Sequence, residues 1–321
     1  MPLDELFAAR LAEAAQLAQE QGLDAESPQV QAVMARPYGA AESDEVLIHH
    51  DTIPGPHGDI PVRVYRDPSA APQAPGLVWC HGGAFMWGDL DMPEADEVSR
   101  GIATRTQGVV ISVDYRLTGA PNPPTAMPLP ESVSNQYPIA HDEVTTAYRW
   151  VHEHAAQLGI DPDRLAIGGA SAGANLIAGA VVRLRDEGGP LPHVWLPIYP
   201  AVHAHTPEMS DELRRDLDQF GSGFDETALT FIGAAYGATV DDPYGYVGHR
   251  TDMAGLPRCL IVNDQYDELR ASGEALARHL EASGVEVVCL TAHGMKHGHL
   301  NLVGHPRTKQ TLDDMAAAIL S

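Results

Sequence analysis

Short apolar runs alternate with helix-like stretches along most of this 321-residue chain. Gly76–His81 and Val109–Asp114 are dense in apolar residues, as expected for strands buried on both faces. Such alternation needs crossover connections, which join parallel strands. Strands are predicted in eight places: Val46–His50, Pro61–Arg66, Gly76–His81, Val109–Asp114, Leu165–Gly168, Val194–Tyr199, Arg258–Asn263 and Glu286–Thr291. The sequence therefore predicts an α/β fold with a mostly parallel eight-stranded sheet flanked by helices, and ligands at the carboxyl ends of its strands.

Three regions fall outside this alternation. Residues 1–45 begin with a helix-like stretch, and residues 201–247 form a polar, helix-prone insertion. The stretch 118–137 is rich in proline and has few periodic apolar positions, so we expect an extended surface loop there.

The charge balance is strongly acidic, with 44 Asp and Glu against 20 Lys and Arg and a net charge of −24. Nucleic acids and anionic membranes would be repelled, so neither is an expected partner. No apolar run is long enough to span a membrane, and the first residues lack the features of a secretory signal. Cys80, Cys259 and Cys289 lie in apolar runs, which predicts buried free thiols and a cytoplasmic location.

The most informative motif is Gly169–Gly173, which matches the pattern G-x-S-x-G around Ser171. It lies between the predicted strand Leu165–Gly168 and the predicted helix Ala172–Arg185, the setting of a nucleophile elbow. Small residues beside the serine permit the close packing that a strained turn needs. We predict that Ser171 is a nucleophile; the alternative is a small-residue turn that caps a helix.

A second glycine-rich turn, His81–Phe85, ends the third predicted strand. Acyl transfer needs backbone N–H groups directed at the oxyanion of the tetrahedral intermediate. Gly82 and Gly83 are predicted to provide two of them, and Ala172 a third. The alternatives are an ordinary Gly-Gly turn and, for His81 itself, a structural hydrogen-bonding role.

Five segments together resemble the hormone-sensitive-lipase-like group of bacterial carboxylesterases. They are His81–Phe85 (HGGAF), Ile111–Leu117 (ISVDYRL), Gly169–Asn175 (GASAGAN), Asp267–Gly273 (DELRASG) and His297–His299 (HGH). The resemblance extends from about residue 60 to the C-terminus. It implies an α/β-hydrolase fold, a small-molecule ester as substrate, chemistry without a metal or cofactor, and a homodimer as the expected assembly.

The chain departs from the family pattern at several positions. Ala84 replaces a third glycine, Ala170 an acidic residue, Ala174 a second glycine and Ala271–Ser272 an acidic pair, while His299 stands where phenylalanine is usual. None of these changes removes a catalytic group. They affect the prediction of which substrate is bound more than the prediction of the catalytic mechanism.

A serine hydroxyl needs a base, and in this fold an acid and then a histidine follow the serine along the chain. His297, just beyond the last predicted strand, is the predicted base, with His293 and His299 as rivals. These three histidines also admit a metal-site interpretation, although no acidic or soft ligand set accompanies them.

The orienting acid is expected after the seventh predicted strand, where Asp264, Asp267 and Glu268 occur. The resemblance selects Asp267, with Asp264 as the second choice. A turn or helix-capping role is the structural alternative for either aspartate.

The resemblance also divides the chain into a catalytic domain (46–200 and 248–321) and a helical cap (1–45 and 201–247). Four aromatic residues are predicted to line the substrate pocket: Phe85, Trp87, Phe220 and Phe224. The predicted function is a serine carboxylesterase that cleaves small to medium acyl esters through an acyl-enzyme. The alternatives are an amidase, lactonase or deacetylase acting on a secondary metabolite, and a non-catalytic ligand-binding receptor on the same fold.

Overall fold

The computed structural model describes residues 2–119, 133–220 and 223–321. Within these ranges eight strands form a single sheet in the order β1-β2-β4-β3-β5-β6-β7-β8. The strands are β1 (Leu47–Ile53), β2 (Ile60–Arg66), β3 (Ala74–Cys80), β4 (Val109–Val113), β5 (Ile160–Ala170), β6 (Trp195–Ile198), β7 (Cys259–Tyr266) and β8 (Val287–Lys296). β2 pairs antiparallel with β1 and β4, and all other pairs are parallel. The predicted α/β fold with its mostly parallel eight-stranded sheet is confirmed.

Helices connect most of the strands. Those in the described ranges are α1 (Glu5–Gln21), α2 (Pro28–Met34), α3 (Pro93–Thr106), α4 (Ile139–Glu153), α5 (Ala155–Leu158), α6 (Ala172–Asp186), α7 (Asp211–Leu217), α8 (Glu226–Tyr236), α9 (Arg270–Ala282) and α10 (Pro306–Leu320). Apolar residues of α4, α6 and α9 pack on one face of the sheet, and those of α1, α3 and α10 on the other.

The central strands are apolar on both faces because each face is covered by helices. Along β3, Val78 and Cys80 point into the core on one side, whereas Leu77 and Trp79 point into the core on the other. All seven residues of β3 are buried. This explains why the strands were recognisable as continuous apolar runs rather than as alternating patterns.

Several strands extend beyond the predicted limits, and β5 and β8 do so by the most residues. β5 already begins at Ile160, which pairs with Ala74 before the register shifts. The polar residues 161–164 hide that start in the sequence. β8 continues to Lys296, so it ends one residue before the predicted base His297.

The insertion 201–247 carries α7 and α8 and is attached to the elbow helix at both of its ends. The side-chain amide of Asn175 in α6 donates to the carbonyl oxygens of Ala201 and Gly245, each at 3.0 Å. One side chain therefore fixes the two points where the insertion leaves and rejoins the sheet.

The prediction of three buried thiols was wrong for one of them. Cys80 and Cys259 are buried, but Cys289 is exposed, because β8 lies at the edge of the sheet. The predicted loop 118–137 falls largely on residues 120–132, outside the described residues. In the described ranges, no helix combines the length and apolarity that a membrane span requires.

Candidate active site

Ser171 lies in the sharp turn between β5 and α6. Its backbone has φ 53° and ψ −115°, a left-handed conformation that is costly for a residue with a side chain. Gly173 makes the turn possible, because a Cβ atom there would lie 2.3 Å from the carbonyl oxygens of Cys80 and His81. The elbow thus presents the Ser171 hydroxyl at the carboxyl edge of the sheet.

The imidazole of His297 joins this serine to a buried aspartate. Oγ of Ser171 lies 3.0 Å from Nε2 of His297, and Nδ1 of His297 lies 2.6 Å from Oδ2 of Asp267. The other oxygen of Asp267 accepts the backbone N–H of Leu269 at 3.0 Å. Residues 30 to 126 positions apart therefore meet in a hydroxyl–imidazole–carboxylate arrangement that matches the geometry of nucleophilic catalysis.

The rival candidates have other partners or another environment. Asp264 contacts His299, with 2.5 Å between Oδ1 and Nδ1, and Nε2 of His299 lies 2.8 Å from Oγ1 of Thr311. His293 is exposed, and a carboxylate oxygen of Glu268 accepts the backbone N–H of Phe224 at 3.4 Å. Only His297 among the three histidines of this segment contacts the serine.

Neighbouring carboxylates favour the charged form of His297. Burial alone lowers the pKa of this imidazole, but Asp267, Asp264 and Glu94 together outweigh burial, and the net effect is a raised pKa. An imidazole in this environment accepts the serine proton readily and holds it as imidazolium.

The glycine-rich turn after β3 lies beside Ser171 and has an unusual backbone. Gly83, Ala84 and Phe85 all have positive φ angles, of 115°, 49° and 65°. Only glycine fits at position 83, since a Cβ atom there would lie 1.9 Å from the carbonyl oxygen of Trp87. The N–H of Gly82 already donates to Oε1 of Glu94 at 2.5 Å, so it is not free to bind an oxyanion.

Glu94, in the first turn of α3, is a functional candidate that the sequence reading missed. The residue is 2 % exposed, and its carboxylate accepts hydrogen bonds from the Gly82 N–H, from the Tyr199 hydroxyl at 2.5 Å and from the Asn301 side chain at 3.2 Å. The Tyr199 ring in turn lies edge-on to the ring of His297, with 4.9 Å between centroids. An acidic residue in the first turn of a helix is common, so the sequence around Glu94 gave no indication of this role.

The four aromatic residues predicted to line a pocket have different environments. Phe85 is 2 % exposed and stacks on Tyr236 of α8 at 3.9 Å, so it packs the core beneath the turn. Phe224 lies over the His297 ring at 4.5 Å between centroids, and Phe220 packs edge-on against Tyr266. Trp87 is partly exposed beside the apolar cluster formed by the turn and α8.

One group of potential metal ligands lies in the described part of the chain, and it coincides with the site. Asp264, Asp267 and His297 each offer a ligand atom, and these atoms lie within 4.8 Å of one another. His293 and His299, the other members of the predicted histidine cluster, are not part of this group. Each member already contacts a histidine, an aspartate or the serine, which accounts for the arrangement without a metal.

Comparison with known proteins places this chain within one class, the α/β hydrolases. Residues 77–301 match the family model described as alpha/beta hydrolase fold. The chain is 35 % identical over 247 residues to the carboxylesterase NlhH of Mycobacterium tuberculosis, covering 76 % of this chain and 72 % of that protein. It is also 30 % identical over 269 residues to an arylesterase of Saccharolobus solfataricus, covering 82 % and 79 %.

Solved structures give the same result. The hyperthermophilic esterase from the archaeon Pyrobaculum calidifontis superimposes with a TM-score of 0.76 at 28 % identity, covering 99 % of this chain and 98 % of that one. The carboxylesterase EstE1, cloned from a metagenomic library, gives 0.74 at 30 % identity, covering 87 % and 90 %. The chain belongs to the hormone-sensitive-lipase-like family of α/β hydrolases, as its motifs predicted.

Proposed function

We propose that this protein is a serine carboxylesterase in which Ser171, His297 and Asp267 form the catalytic triad. The observation that supports it most is the continuous contact from Oγ of Ser171 through His297 to Asp267, at 3.0 and 2.6 Å. Relatives named as carboxylesterases and esterases point to the same chemistry.

In the proposed reaction, Oγ of Ser171 attacks the carbonyl carbon of the ester while Nε2 of His297 takes its proton. The tetrahedral intermediate collapses, the carbon–oxygen bond to the alcohol breaks, and His297 returns the proton to the leaving oxygen. Water then attacks the acyl-enzyme with His297 as base again, which releases the acid and restores Ser171. Asp267 holds the imidazole in the required tautomer and stabilises the imidazolium form.

We assign the oxyanion hole to the backbone N–H groups of Gly83, Ala84 and Ala172. The turn at Gly83 and Ala84 has positive φ angles beside the serine, and Ala172 opens α6, where the first N–H groups have no partner within the helix. Gly82 was an expected donor. Because Glu94 occupies its N–H, we propose that it supports the turn instead.

Ser171→Ala is the direct test. We expect hydrolysis of p-nitrophenyl acetate to fall by about 10⁴-fold or more, and covalent labelling by a fluorophosphonate to disappear. The matched control is Ser272→Ala, a buried serine outside the triad that bonds His203 and Val202. Undiminished turnover in a folded Ser171→Ala protein would refute the proposal.

We propose small to medium acyl groups as substrates. Phe224 lies over the base, while Phe85 and Tyr236 fill the space beneath the oxyanion turn, so apolar contacts surround the reacting serine. p-Nitrophenyl acetate and butyrate should be cleaved faster than the octanoate, and the palmitate should not be cleaved. A matched aryl amide and a lactone separate the ester activity from the amidase, lactonase and deacetylase alternatives.

We propose a homodimer formed through β8. This strand is at the edge of the sheet, with Val288 49 % exposed and Cys289 exposed beside it. Unpaired edge strands readily pair with a second copy. Light scattering after gel filtration should give a dimer for the natural sequence and a monomer for Val288→Lys, and a monomer at every concentration for both would reject this assembly.

We infer a reducing, cytoplasmic location from the cysteines. All three are free in the structure, and one of them is exposed. Fractionation of the source cells with an antibody should place the protein with cytoplasmic markers, and recovery from an oxidising compartment would contradict this.

A further inference from the structure

A second aspartate–histidine pair lies directly beside the triad and has no role in the reaction as described. Nδ1 of His299 contacts Oδ1 of Asp264 at 2.5 Å, and its Nε2 lies 2.8 Å from Oγ1 of Thr311. Carboxylate, imidazole and hydroxyl thus lie in contact through the same ring atoms as in Asp267, His297 and Ser171, but the Asp264–His299 contact lacks the geometry of a hydrogen bond.

This second group of three side chains cannot be a second active site. Asp264, His299 and Thr311 are 0, 1 and 2 % exposed, so no substrate reaches the threonine hydroxyl. The hydroxyl instead provides a partner for Nε2 of the buried ring, which a buried polar atom requires.

The pair also departs from the family pattern, in which phenylalanine is usual at position 299. Burying a carboxylate against an imidazole in place of an apolar side chain seldom gains stability, because the desolvation of the polar groups offsets their attraction. A function for the pair must therefore come from the groups that lie beside it.

The proposed catalytic base, His297, lies next to the pair. A ligand atom of Asp264, one of Asp267 and one of His297 all lie within 4.8 Å of one another. The ring of Tyr199 lies edge-on to both imidazoles, with centroid distances of 4.9 Å to His297 and 5.6 Å to His299. The ionisable groups around His297 come from several elements: Asp264 at the end of β7, Asp267 in the following turn, Glu94 of α3, Tyr199 after β6 and His299 after β8.

We propose that Asp264 is a positioning residue of the active site, a second carboxylate that stabilises the imidazolium form of His297, and that His299 keeps it ionised. This proposal rests on the proposed triad and adds a residue to it.

The charges give the direction of the effect. Burial raises the pKa of Asp264 and favours its neutral form, and the contact with His299 opposes this. While Asp264 is ionised, it adds to the attraction of Asp267 for a proton on His297. Removing either Asp264 or His299 therefore weakens that attraction, and the base loses its proton at a lower pH.

The experiment measures the rate constant of fluorophosphonate labelling of Ser171 against pH, which needs the base but no turnover. Asp264→Asn, His299→Phe and the double variant are compared with the natural sequence. We expect the acid limb to move down by about one pH unit in each single variant, as for loss of a charge at this distance. The double variant should move no further than Asp264→Asn, because both changes remove the same charge.

Glu143→Gln is the matched control, since Glu143 is another fully buried carboxylate but pairs with Arg116. It should leave the acid limb in place. An acid limb that stays fixed, or moves up, in the folded single variants overturns the proposal. If Asp264→Asn does not fold, His299→Phe decides alone, since it carries the residue usual in the family. Failure of the natural sequence to react at all would instead reject the proposed triad.

Discussion

His297 is the residue on which the proposed chemistry depends most, because it contacts both the nucleophile and the acid. Its raised pKa fixes the pH at which the enzyme becomes active. The imidazole must be neutral to take the serine proton, so activity is lost as the pH falls through that pKa. For the natural sequence we expect an acid limb of kcat/KM with a midpoint above about 6.5, the ordinary value for histidine. A pH–rate profile on p-nitrophenyl acetate checks this, and a midpoint below 6 would contradict it.

A second prediction concerns Glu94, which contacts the glycine-rich turn beside Ser171. Glu94→Gln keeps the size of the side chain but removes the charge that holds the Gly82 N–H and the Tyr199 hydroxyl. Loss of one charge-assisted hydrogen bond costs about 1.5–3 kcal/mol, so we expect kcat to fall at least tenfold. KM should stay within about twofold, because the turn acts on the transition state. Glu97→Gln on the same helix is the control, and a variant that changes KM alone would argue against this role.

At the scale of elements, helix α7 of the insertion 201–247 is held against α9 by a buried arginine. Arg270, at the start of α9, contacts Asp216 at 3.2 Å, Glu212 at 3.1 Å and Glu274 at 2.6 Å. Asp216 is itself buried and also accepts a hydrogen bond from Gln265. Breaking this pair would leave a carboxylate in the interior without its cation.

Arg270→Met should therefore release α7. Breaking a buried pair costs about 3 kcal/mol or more, which corresponds to roughly 100-fold faster amide exchange over residues 211–217. Hydrogen exchange followed by mass spectrometry measures this. Arg214→Met, on α7 itself, is the control, since the ion pair of Arg214 with Asp211 is exposed. Equal exchange in the two variants would mean that the buried pair does not hold α7.

Some of the strands and turns could be predicted from the sequence, and others could not. The strands were predictable because helices cover both faces of the sheet and leave continuous apolar runs, as in β3. The elbow was predictable because its turn restricts the residues beside Ser171. The start of β5 was not, since Ile160 pairs with Ala74 across a polar stretch that carries no strand pattern.

For the molecule as a whole, the net charge of −24 is the dominant property. This charge remains after each of the 20 arginines and lysines has offset one of the 44 acidic residues, so it acts as repulsion within the folded protein. Raising NaCl from 10 to 500 mM should screen it and raise the midpoint of thermal unfolding by about 2–4 °C, equivalent to about 1 kcal/mol. Differential scanning calorimetry measures the change. A midpoint that falls with salt would mean that the ion pairs lost to screening outweigh the repulsion.

The sequence by itself determined the fold and the family, and it supplied the candidates for the serine, the acid and the histidine. These properties can be predicted locally, because the apolar pattern of a strand or helix and the small residues of a tight turn are adjacent in the sequence. The tertiary structure decided which atoms meet: the Gly82 N–H on Glu94, Phe85 in the core rather than facing a pocket, and Asp264 beside His297. Such contacts join residues far apart in the chain, so they depend on how the helices pack on the sheet and have no local pattern.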